Sequence, residues 1–137
     1  MIALIVCLSS TLCFAANSDY SEFAQLEARQ AKLKATLAEI RVLYREDHEF
    51  LAAFDTAQKK WEEYCRAMLE ARFPAKNKRE EYGSVYDLAI AGVRIGMLDD
   101  RIKELSLWTE GTEEGDVSKG SVKLKKELDD IRKSKKA

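Results

Sequence analysis

Between Asn17 and Phe73 the chain contains neither glycine nor proline. These are the two strongest breakers of a helix interior, costing about 1 and 3 kcal/mol relative to alanine. Nothing local ends a helix across that stretch, and its apolar residues fall at helical spacing. Phe23, Leu26, Leu33, Leu37, Ile40 and Tyr44 recur at threes, fours and sevens and share one stripe. Asn17, Ser18 and Asp19 ahead of it are N-cap types. The polar cluster Arg45-Glu46-Asp47-His48-Glu49 interrupts the stripe and predicts a bend. Phe50, Leu51, Phe54, Ala57, Trp61, Tyr64, Cys65, Met68 and Leu69 form a second stripe, with Glu62 and Arg66 spaced for an i,i+4 ion pair. Pro74 stops it.

Ala75 to Tyr82 reads as a charged connection. Gly83-Ser84 opens a third helix, with Ser84 and Asp87 at capping-box spacing. Its apolar side is Val85, Leu88, Ala89, Val93, Ile95, Leu98, Ile102, Leu105 and Trp108. Gly92 and Gly96 weaken this helix, and their spacing predicts close approach of a neighbouring helix. Gly111 closes the domain, and Gly111 to Gly120 reads as a linker. Ser121 to Ala137 carries a thin stripe of Leu124, Leu128 and Ile131, so a marginal helix is expected there. From Lys119 onward it has eight basic and three acidic residues, which equally suits a solvated tail. The expected fold is all-α: a small antiparallel bundle of three main helices, at about 19–47, 50–72 and 84–109, with a short C-terminal fourth helix as an addition. Hydrophobic residues make up 46% and charged residues 34%, enough for a packed core in a single domain. The net charge of −1 gives no reason to expect nucleic acid or an anionic membrane as partner.

The start of the chain has a different character. Met1 to Ala16 has no charged side chain and runs from Ile2-Ala3-Leu4-Ile5-Val6-Cys7-Leu8 into the small residues Ala15-Ala16. That is the pattern of a cleavable secretory signal, shorter than the roughly 20 apolar residues of a spanning helix. The expectation is export to the periplasm or the extracellular space. A helical domain at 17–110, a charged tail at 111–137 and no stable membrane anchor after cleavage complete it. Cleavage removes Cys7 and Cys13 and leaves Cys65 alone, without an internal disulfide partner. Cys65 is expected to be a small, buried, apolar-like group.

Catalytic chemistry is sparse. His48 is the one histidine and cannot build a zinc site by itself. There is no glycine-rich phosphate loop and no Gly-x-Ser-x-Gly elbow. The carboxylates sit beside Lys and Arg on helical faces, where solvated ion pairs are the ordinary outcome. No catalytic, metal or cofactor residue is assigned, and an enzyme is not expected.

One block is more specific: Ala57-Gln58-Lys59-Lys60-Trp61-Glu62-Glu63-Tyr64-Cys65-Arg66. It resembles the Ala-Gln-x-x-Trp-x-x-Tyr/Phe-Arg signature of the LprI-like lysozyme inhibitor domain. Gly83-Ser84 stands where that family has a Gly-Ser step. Leu98-Asp99-Asp100-Arg101-Ile102-Lys103-Glu104-Leu105 is similar to its closing segment. The resemblance covers roughly Leu33 to Trp108. Cys65 departs from it, standing where the family has arginine, with Arg66 one later. The two cysteines that form the family's disulfide fall on Leu69 and about Val93. The resemblance singles out Gln58, Trp61, Tyr64, Arg66, Gly83, Ser84 and Arg101. The physical reading of these is mainly structural: Trp61 anchors the core, and Gln58 satisfies a buried backbone group or Arg101.

The resemblance implies an exported binding protein whose partner is a lysozyme. Lys76, Lys78, Arg79, Glu80 and Glu81, in the connection before Gly83, are the candidate contact loop. The alternative is a non-inhibitory helical scaffold or adaptor of the periplasm. Monomer and homodimer are both open.

Overall fold

The computed structural model describes residues 10–113 and 117–135, with side chains described over 21–113 and 118–135. The signal-type segment at 1–16 lies outside them, its first nine residues entirely and the rest in their side chains. The helices are α1 (Ser10–Leu43), α2 (His48–Arg72), α3 (Lys78–Tyr82), α4 (Tyr86–Glu110) and α5 (Lys125–Ser134). Between α4 and α5 lie a single 3-10 turn (Val117–Lys119) and an isolated parallel bridge from Thr112 to Leu124. The all-α expectation holds.

Several boundaries differ from the sequence reading, each for a local reason. α1 runs through Asn17, Ser18 and Asp19, so these do not cap it; no breaker precedes them. It ends at Leu43 rather than at 47, because Asp47 turns outward to cap α2, its Oδ1 accepting from the Phe50 amide at 3.0 Å. The third long helix starts at Tyr86 rather than Ser84. Val85 stands at its N-cap without a side-chain bond, and Asp87 pairs with Arg79 instead of closing a capping box. The connection at 75–82 contains α3, capped by Asn77, whose Oδ1 accepts from the Glu80 amide.

Cross-helix contacts give the course of the bundle. Arg29 meets Asp99 and Glu22 lies over Gly92, so α1 and α4 run the same way. Arg41 meets Asp55 and Gln58 meets Arg101, so α2 runs against both. This is an up-down-up bundle of three long helices. α1 and α4 lie closest, where Ala91 is buried and a Cβ on Gly92 would meet only the movable end of the Glu22 side chain, 2.8 Å from its Oε1. Gly96, expected to share that role, has open space where a Cβ would stand.

The core is densest at the end holding the α1–α2 turn. Ile40, Leu43, Tyr44, Phe50, Phe54 and Leu105 are buried there, and Trp108 packs edge-on against Phe54 with ring centroids 5.9 Å apart. Tyr44 and Phe50 lie 4.3 Å apart, and Phe50 and Phe54 5.3 Å. Such ring pairs each add about 0.5–1.5 kcal/mol beyond their buried area. Some stripe residues face solvent instead: Phe23, Tyr64, Met68 and Val85 are exposed.

The short C-terminal helix expected beyond 121 is α5, and it is packed more firmly than a marginal helix after a linker would be. Val122 and Thr112 are buried, and Leu128 of α5 is inaccessible to solvent. The Lys123 amide donates to Tyr44 Oη at 2.9 Å. Burial raises the Tyr44 phenol above its ordinary pKa, opposed by that hydrogen bond, so the hydroxyl stays protonated at neutral pH. Arg132 reaches both the Thr109 carbonyl and Glu39. Gly111 makes this return possible. At φ +76° it caps α4, and a Cβ there would stand 2.9 Å from Lys123 O and from Lys125 N. Gly83 has a similar φ of +73° and nothing nearby. Both have ψ near 180°, a region that residues with a Cβ essentially avoid, so Gly83→Ala is expected to cost about 1–3 kcal/mol of backbone strain and Gly111→Ala clearly more. Equal urea midpoints for the two variants would contradict the close passage of the 123–125 backbone.

Candidate functional site

Gln58, Trp61 and Glu62 are three and four residues apart on α2 and so lie on neighbouring turns of one face. Arg101 enters from α4 between Leu98 and Leu105, which are buried. Only 6% of Arg101 is exposed, and 4% of Gln58. Arg101 Nε and Nη2 both donate to Gln58 Oε1, at 3.2 and 3.1 Å. Arg101 Nη1 donates to Glu104 Oε2 at 2.6 Å, and Gln58 Nε2 donates to Glu62 Oε1 at 3.1 Å. The guanidinium carbon lies 5.6 Å from the centre of the Trp61 ring. A buried guanidinium is tolerable only when its donors are used and its charge is balanced. Here one amide oxygen takes two donors, a carboxylate at the rim balances the charge, and an aromatic ring lies beside the cation. The polar chain Glu62–Gln58–Arg101–Glu104 thus joins α2 to α4.

Beyond Trp61 the two helices splay. Trp61, Cys65 and Leu69 from α2 and Met97 and Leu98 from α4 floor a cavity of about 330 Å³, with Glu62, Arg66 and Arg94 also lining it. Past Met97 a second cavity of about 460 Å³ continues between Met68 and Arg72 on one wall and Gly92, Val93 and Gly96 on the other. Of the two positions where the resemblance put the family's cysteines, Leu69 of α2 lines the first cavity and Val93 of α4 the second. Cys65 is half-buried rather than buried. Desolvation pushes its thiol pKa up and nearby Glu62 adds to this, while Arg101 and Arg94 oppose it. This argues against an activated cysteine nucleophile at this position.

The structure brings together Gln58, Trp61 and Arg101, with Arg66 on the groove beside them. It keeps Tyr64, Gly83 and Ser84 apart. Tyr64 is 57% exposed, and Gly83 and Ser84 lie in the exposed turn before α4. Glu62 does not pair with Arg66; its Oε1 accepts from Gln58. The five residues of the candidate contact loop are not equivalent. Lys78 is half-buried and bonds to Glu70 and the Phe73 carbonyl, Arg79 pairs with Asp87, and Glu80 receives Asn77 Nδ2 at 2.6 Å. Lys76 and Glu81 are the two left exposed without such a bond among the described residues. The corner is braced by Phe73, Tyr82 and Tyr86, whose ring centroids lie 5.3 to 5.8 Å apart. Tyr82 Oη accepts from the Ala75 amide at 3.2 Å. Arg72, Arg94 and Met97 went unnoticed as site residues in the sequence. Arg94 lies next to the apolar Val93 and Ile95, but only the splay of α2 from α4 puts it on a groove.

Among the described residues no helix is long and apolar enough to cross a membrane, and no cluster of His, Cys, Asp and Glu could hold a metal ion. A family model described as lysozyme inhibitor LprI matches residues 13–105, which takes in α2, α3 and most of α1 and α4. No curated protein and no solved structure matches the chain.

Proposed function

The chain belongs to the LprI lysozyme inhibitor family, and from that premise we propose that it is an exported protein of the periplasm or cell surface that binds and inhibits a lysozyme. The carrying observation is the extent of the match, which includes both helices of the Gln58–Trp61–Arg101 junction. The family is one of inhibitors, so the expected activity is occupancy of an enzyme and not turnover. Lysozymes work through a pair of carboxyl groups in an open cleft. A projecting, preorganised corner carrying a cation suits such a cleft, because little ordering entropy remains to be lost on binding.

The corner at 74–85 has that character. The aromatic brace fixes it, Lys78 is tied inward to Glu70 and the Phe73 carbonyl, and Arg79, though 72% exposed, is paired with Asp87. Lys76 is then the exposed cation of the corner without an ion pair among the described residues. We take Lys76 and Glu81 as the contact, with the others holding them in place.

The test is inhibition of peptidoglycan clearance by a panel of c-, g- and i-type lysozymes. At least one is expected to be inhibited near stoichiometry. Lys76→Glu is expected to weaken that inhibition about tenfold or more without changing thermal stability, since it reverses an exposed charge at the contact. Undiminished activity of every lysozyme at stoichiometric excess would refute the reading. Full inhibition by the Lys76→Glu variant would move the contact away from this corner.

A further inference from the structure

Six of the chain's nine arginines are paired with carboxylates: Arg29, Arg41, Arg45, Arg79, Arg101 and Arg132. The other three, Arg66, Arg72 and Arg94, have no carboxylate within 4 Å among the described residues. All three line the groove between α2 and α4. In a chain with as many acidic as basic residues, unpaired guanidinium groups gathered on one groove are a charge pattern awaiting a partner. Glu62 is the one carboxylate lining the first cavity, so the three guanidinium groups outnumber it there and in its continuation. The floor between the arginines is apolar: Trp61, Cys65, Leu69, Met97 and Leu98, continuing to Met68 and Val93.

We propose that this groove docks an acidic amphipathic peptide segment of a partner protein, its apolar side chains on the Met97–Leu69–Trp61 floor and its carboxylates on Arg66, Arg72 and Arg94. The proposal does not rest on the lysozyme reading, and it uses a face other than the 74–85 corner. Three physical arguments favour a peptide over a plain polyanion. The floor needs apolar cover that a phosphate polymer cannot supply. Methionines at its centre adapt to varied side chains, as on other peptide-binding surfaces. From Trp61 to Arg72 the α2 wall is about 17 Å long at 1.5 Å per residue, room for three turns of an amphipathic helix laid in a groove. Arginine forks suit carboxylates in particular, through two parallel hydrogen bonds.

The test pans a random 12-residue peptide library against the full chain. Selected peptides are then titrated while maleimide labelling of Cys65, on the groove floor, is followed by mass spectrometry. Enriched peptides are expected to carry Leu, Phe or Met at three- and four-residue spacing with Asp or Glu between them, and to protect Cys65. Their affinity is expected to fall about tenfold or more in the R66E/R72E/R94E variant and to weaken with salt. The neutral R66Q/R72Q/R94Q variant, with helicity checked by circular dichroism, should lie between the two. No enrichment, enrichment of neutral or basic peptides, unchanged binding by the charge-reversed variant, or unprotected Cys65 would each overturn the proposal. Equal protection by polyglutamate or by phosphatidylglycerol vesicles would overturn it in favour of an unspecific anion surface.

Discussion

Gln58→Leu is expected to lower stability by about 3 kcal/mol, although it replaces a polar side chain with an apolar one of similar size in the interior. The reason lies in what it strands. Arg101 is buried and directs two of its donors at Gln58 Oε1. Without that oxygen the guanidinium keeps only Glu104, at the exposed rim, and its stacking on Trp61. Arg101→Met removes the charge and is expected to cost less, because Gln58 retains Glu62 as a partner. The double variant should be more stable than the sum of the single losses implies, since no charge remains stranded. Urea denaturation of the four proteins gives the coupling directly. A coupling below about 0.5 kcal/mol would mean that the pair behaves as independent surface groups.

Leu128→Ala is expected to cost about 3 kcal/mol, the range for removing a fully buried leucine from a core that cannot collapse around the gap. Leu128 is inaccessible to solvent and belongs to the same core as Tyr44, Leu43 and Leu105. It also abuts Gly111. Loss of its side chain opens a gap beneath the segment that delivers the Lys123 amide to Tyr44 Oη. Ile131→Ala, at a half-buried position one turn later, should cost clearly less. The decisive measurement is the urea midpoint of the two variants, with tryptic cleavage at Lys123–Lys126 followed in parallel. Were α5 a solvated tail, both substitutions would lie within about 0.5 kcal/mol of the parent.

These expectations rest on features of unequal legibility. The helical class was readable because long stretches lack breakers and carry periodic apolar residues. The bend near 45–49 was readable because charged residues interrupt a stripe. The resemblance to the LprI family was readable from Gln58, Trp61 and Arg101, and the family match agrees with it. Helix ends were less so: Ser84 and Asp87 had capping-box spacing, but Asp87 pairs with Arg79 of α3 instead. Individual stripe members were also uncertain. Tyr64 and Met68 have helical spacing, and nothing in their neighbours tells that α2 splays away from α4 where they stand.

Helix formation here is a local matter: few breakers and apolar periodicity make helices, whatever they pack against. Which polar groups find partners depends on how the helices come together. Gln58 and Arg101 are 43 residues apart in the chain yet share a buried oxygen, whereas Glu62 and Arg66, four apart, do not pair. The same holds for the last 25 residues. Their thin stripe pointed to no more than a marginal helix, because burial of Leu128 depends on a hydrophobic surface that α1 and α4 complete only after they have come together.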